Sequence, residues 1–130
     1  MTTELTMLSL SVALGLVQII LAAHAASLQV GYRWTATARE ARRPLVGVAG
    51  RLERAARNFG ETFPFFAAVV VVAHLTNRHT RGTEVGTWMY FTARLAYVPL
   101  YALAVPLVRS LVWNVATVGI VLVLASLVWP

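Results

Sequence analysis

Residues 110–129 form a run without a single charged side chain, and residues 5–28 form another that only Gln18 and His24 interrupt. Each run matches the roughly 20 apolar residues that a helix needs to cross the hydrocarbon of a bilayer. Two further segments have similar length but carry charge. One spans 51–77, with an apolar part, 62–76, too short to cross alone, so its polar first turns must lie partly within the membrane thickness. The other spans 85–105 and contains Arg94. The apolar runs are continuous and do not alternate, which favours helices over barrel strands. The expected fold is an all-α membrane protein, a bundle of four transmembrane helices in one domain over 1–130. Composition agrees: 58% of the 130 residues are hydrophobic and 12% charged, about half the charged share of a soluble domain. A body this small could not hide that much apolar surface from water. A secretory signal peptide is disfavoured despite Ala23-His24-Ala25, because the segment lacks a basic start, carries Glu4, and has too long an apolar core.

The net charge of +6 does not point to nucleic acid, because the basic residues interrupt apolar runs and build no soluble basic face. The absence of cysteine excludes disulfides, thiolate metal sites and a cysteine nucleophile. His74 and His79 lack the ligand count of a metal site, so no metal is expected. All non-histidine basic residues are arginine, the side chain suited to bidentate carboxylate binding in a dry site. The first loop carries Arg33, Arg39, Arg42 and Arg43, followed by Arg51, Arg54 and Arg57; the second carries Arg78 and Arg81. Arg109 opens the fourth helix on the side of the first loop. The positive-inside rule then places loops one and three in the cytoplasm and both termini outside it. Pro44, Gly47 and Gly50 mark the first loop, Gly82 and Gly86 the second, and Pro106 the last turn. Pro64 and Pro99 should bend their helices. Trp34, Trp88, Trp113 and Trp129 read as interfacial anchors, and Gly15 and Gly119 as points of close helix contact.

A polar stripe crosses the second and third helices. Arg51, Arg54, Asn58 and Glu61 are spaced three, four and three, which puts them on one helical face. Arg94, Tyr97 and Tyr101, spaced three and four, share a face of the third helix. Glu61 lies about 15 Å along the axis from Arg51, at a depth that Arg94 should match from the antiparallel helix. An isolated charge there costs at least a few kcal/mol, so a Glu61–Arg94 ion pair is expected. Polar side chains also glue membrane helices together. The whole set is too rich for adhesion alone. Arginines would hold the carboxylates of an anionic ligand, the glutamate its amine, and the tyrosines would add hydrogen bonds.

The run Arg51-x-x-Arg54-Ala-x-x-Asn58-x-x-Glu61-x-x-Pro64-x-Phe66 resembles the signature of the MAPEG family, the membrane-associated proteins of eicosanoid and glutathione metabolism. Ala93-Arg94-Leu95-Ala96-Tyr97-x-x-x-Tyr101 is similar to the family's second signature. The resemblance implies a homotrimer of four-helix subunits that holds glutathione, as cosubstrate, between neighbouring subunits near the cytoplasmic side. It assigns Arg54, Asn58, Glu61, Tyr97 and Tyr101 to the tripeptide, and Arg33 to a reach across the subunit interface. Arg109 is its candidate for the arginine that stabilises the thiolate, the nucleophilic form of a thiol; the alternative place for Arg109 is a cytoplasmic-end anchor. Arg94 joins the binding set from its position in the stripe.

The expected activity is a glutathione (or similar thiol) transferase or peroxidase acting on a hydrophobic small molecule that arrives from the membrane lipids. The expected location is a bacterial inner membrane. The alternative is a non-catalytic membrane protein of the same fold. A small multidrug transporter fits less well, because it needs a membrane-embedded carboxylate in the first helix, which has none past Glu4.

Overall fold

A computed structural model describes residues 1–38 and 43–129. Arg39 and Arg42, two of the charges counted in the first loop, lie outside the described residues. Among the described residues the chain is helical without strands: α1 (Thr3–Val30), the single turn α2 (Tyr32–Thr35), α3 (Gly47–Leu75), α4 (Arg81–Ala102) and α5 (Pro106–Val128). The four long helices run alternately up and down. α4 packs against each of the other three.

Local chemistry sets the ends. Thr80 and Thr83 form a reciprocal capping box, so α4 starts at Arg81, four residues before the sequence estimate, and takes Gly82 and Gly86 from the loop into the helix. Pro106 is not a turn residue. It opens α5, where its missing N–H has no intrahelical partner to lose. Pro64 and Pro99 both sit inside helices that continue past them. The start of α3 is tied to the end of α1 through the Gln29 amide, which donates to Val46 O at 3.0 Å and accepts from Val46 N at 2.9 Å.

The packing inverts that of a soluble bundle. The buried stripe of α1 includes Glu4, Ser11, Gln18 and Ser27, while Leu16, Val17, Ile19 and Ile20 on its other side are exposed. Exposed apolar faces beside buried polar stripes are stable in lipid. α1, α3 and α5 are each long and apolar enough to cross a membrane. The core centres on Phe66 and Tyr90, whose rings stack at 3.9 Å, with Val70, Ala93 and Ala116 around them. The Tyr90 hydroxyl meets Thr62 Oγ1 at 3.1 Å. Where α4 crosses α5, Gly86 and Gly119 face each other so closely that a Cβ on either would lie 2.6 Å from the other's carbonyl oxygen. Only glycine permits that approach. Gly15 serves α1 and α3 similarly, lying against the Phe59 ring.

Candidate functional site

A cleft of about 420 Å³ opens between the first half of α3, the end of α4 and the start of α5. α3 contributes Arg54, Arg57, Asn58 and Glu61, α4 contributes Tyr97 and Tyr101, and α5 contributes Arg109, Ser110, Trp113 and Asn114. The one-face spacing on α3 and α4 makes this convergence possible, because antiparallel packing brings Arg54 level with Tyr101 and Asn58 level with Arg94. Six of the eight residues that the sequence assigned to a site therefore line one cleft.

Its floor is organised around Tyr101. Arg54 Nε donates to the Tyr101 hydroxyl at 3.2 Å, with its guanidinium 5.9 Å from the ring centroid. The Arg109 guanidinium lies 4.5 Å from the same centroid. The ring faces of Tyr97 and Tyr101 tilt against each other at 5.5 Å. Arg51 sits outside the cleft: its Nε donates to Ala102 O at 2.9 Å, satisfying a carbonyl at the C-terminus of α4 that has no helical partner.

Arg94 corrects the sequence expectation. It lies behind the cleft wall, 1% exposed, and Nη1 donates to Asn58 Oδ1 at 2.8 Å. Its guanidinium is 4.5 Å from the Tyr97 ring centroid and 5.4 Å from that of Phe59. No ion pair joins it to Glu61 among the described residues. Asn58 stands one turn nearer along α3 and takes the contact, leaving Glu61 exposed on the cleft. Arg33 lies on α2, exposed, and the chain does not bring it to the cleft.

Sequence reasoning missed four lining residues. Arg57 stands three residues after Arg54 and four before Glu61, so it adjoins their face. Ser110, Trp113 and Asn114 stand one, four and five residues after Arg109 in an otherwise apolar helix, and that spacing was the available signal. Trp113, expected as an interfacial anchor, lines the cleft, and its indole N–H is buried without a partner among the described residues. Asn114 Nδ2 donates to Ser110 O at 2.9 Å.

Three arginines and one glutamate line the cleft, leaving two net positive charges. Donors predominate, from guanidinium, hydroxyl and amide groups. Such a surface suits a ligand with more than one anionic group and a single cation. No cluster of three or more His, Cys, Asp or Glu able to hold a metal occurs among the described residues.

A second polar cluster lies at the other end of the bundle. Glu4, 1% exposed, accepts from Thr83 Oγ1 at 2.6 Å and pairs with His79 Nδ1 at 3.2 Å.

In comparisons with known proteins, the model described as the MAPEG family matches residues 7–129. No curated protein and no solved structure matches the chain.

Proposed function

From the premise that this chain belongs to the MAPEG family and is an integral membrane protein, we propose that its cleft binds glutathione or a closely similar thiol. The bound thiol attacks a hydrophobic electrophile. The carrying observation is the convergence of Arg54, Arg57, Arg109, Glu61, Tyr97 and Tyr101 on one 420 Å³ cleft. Glutathione has two carboxylates, one ammonium group and one thiol. Arg54 and Arg57 hold carboxylates, Glu61 holds the ammonium, and Asn58 and the tyrosines complete the hydrogen bonds. Arg109 faces the thiol.

A thiol with a pKa near 8.5 is mostly protonated at neutral pH; a fixed cation beside it favours the thiolate. The thiol proton passes to water. The sulfur lone pair then forms the new S–C bond as the electrophile's leaving group departs with its bonding electrons. Arg109 is held for this work by its stacking on Tyr101, so that little reorganisation is needed when the sulfur becomes anionic.

Around this chemistry we place four membrane crossings, with α4 crossing alongside the three more apolar helices it packs against. The assembly is a homotrimer in which Arg33 reaches a neighbouring subunit's cleft, in a bacterial inner membrane with both termini outside the cytoplasm.

The test is the ultraviolet absorbance of the thiolate when purified protein in detergent meets glutathione. Wild type should develop the band and Arg109→Ala should not. Glutathione sulfonate, an analogue that cannot react, should raise the melting temperature with concentration. A melting shift with neither thiolate band nor turnover would leave a binding protein without catalysis. No shift at all would remove glutathione.

A further inference from the structure

We infer that Arg94 is a positioning residue: it fixes the Asn58 side-chain amide so that the NH2 group faces the cleft as a donor to a ligand carboxylate. An arginine can only donate hydrogen bonds. The Asn58 atom that meets Arg94 Nη1 at 2.8 Å is therefore the oxygen, and the two amide N–H donors turn away from Arg94. Asn58 lines the cleft, so those donors are what it offers there.

The restraint is strong because Arg94 has little freedom. It is 1% exposed and lies against the Phe59 and Tyr97 rings. Its Nε and Nη2 are buried and have no partner among the described residues. Asn58 Oδ1 is thus the acceptor on which this cation depends, and rotation of the amide would set NH2 against guanidinium. With Asn58 held, the wall beside Arg54 and Arg57 presents donors, and Glu61 supplies the carboxylate acceptor. The cleft then discriminates by polarity, admitting a carboxylate at Asn58 and directing an ammonium group to Glu61.

This deepens the glutathione reading and rests on it for the ligand's identity, but the orientation of Asn58 can be tested without ligand. Asn58→Asp places a carboxylate against Arg94. Its melting temperature should equal or exceed that of wild type, whereas Asn58→Leu, which strands the cation, should melt lower. Asn58→Asp should nevertheless bind glutathione sulfonate about tenfold or more weakly, having exchanged a donor for a repelling charge. With asparagine labelled by ¹⁵N, three residues give side-chain amide signals. The pair lost in Asn58→Asp should shift in Arg94→Met and stay near its wild-type position in Arg94→Lys. Asn58→Asp melting as low as Asn58→Leu, or Asn58 signals indifferent to Arg94→Met, would overturn the inference. So would an Asn58→Asp protein that binds as tightly as wild type. If wild type shows no shift with glutathione sulfonate, the glutathione reading falls, and the melting order and amide signals still decide the role of Arg94.

Discussion

Among the described residues Glu4 and Arg94 are the two buried charges, each 1% exposed, one beside the start of α4 and one behind the cleft, and they are treated differently. Both carboxylate oxygens of Glu4 have partners, Thr83 and His79, so the charge is enclosed and tied to the start of α4. Among the described residues Arg94 has one hydrogen bond and two aromatic faces, and its acceptor, Asn58, borders an open cleft. A charge satisfied on every side fastens helices together. A charge that acts on a cleft-lining group shapes a surface for a ligand. Substitutions at the two ends should therefore separate stability from binding.

The largest effect is expected at the open end. Arg109→Ala should lower thiol-dependent turnover by roughly 100-fold or more, the scale of losing one fixed group that stabilises developing negative charge. Its melting temperature should stay close to wild type, since a partly exposed guanidinium stacked on a ring contributes little to folding. A rate loss matched by a large melting loss would show Arg109 to be an anchor and erase the contrast between the ends. At the closed end, Glu4→Ala should cost roughly 2–3 kcal/mol of stability, because it removes two hydrogen bonds to a buried charge. Glutathione sulfonate should bind the folded fraction as before. Weakened binding without destabilisation would place Glu4 in communication with the cleft and break the comparison from the other side.

A smaller effect sharpens the description of the cleft wall. The Trp113 indole N–H is buried without a partner among the described residues. Trp113→Phe keeps an aromatic ring and removes that donor. Stability should stay level or rise slightly, while affinity for glutathione sulfonate falls about fivefold if the N–H serves the ligand. Equal affinity by calorimetry would remove Trp113 from the binding set.

The helical content and the meeting of α3 with α4 were legible because both depend on period. Apolar runs near 20 residues mark helices, and spacings of three and four mark the face that carries Arg54, Asn58, Glu61, Tyr97 and Tyr101. The partner of Arg94 was not legible, because Asn58 and Glu61 share that face one turn apart. Helix periodicity fixes a direction, but it does not choose between neighbouring turns. Glu4 was equally hidden: its partners lie 75 and 79 residues away, and only the packing of α1 against α4 joins them. The early start of α4 was available in Thr80-x-x-Thr83, a capping pattern overlooked because the nearby glycines suggested a longer loop. Ser110 and Asn114 were not legible as lining residues, because they stand in a run, 110–129, that carries no charge and is otherwise mostly apolar.

The smallest predicted effect concerns the turn that holds the open end together. Ala104 joins α4 to α5 with φ +56°, a left-handed conformation that costs a residue with a Cβ about 1 kcal/mol. Glycine adopts it freely but gives the unfolded chain more freedom, which offsets part of the gain. Ala104→Gly should therefore raise stability by no more than about 0.5 kcal/mol, read as a small increase in melting temperature. Because the turn sets how Tyr101 on α4 meets Arg109 on α5, the thiolate band measures whether the left-handed residue matters to the cleft or only to the connection. An unchanged band with a slightly higher melting temperature would make Ala104 a matter of chain geometry alone. A weakened band would mean that the alanine restrains the two helices against each other, and that the open end depends on its turn as the closed end depends on Glu4.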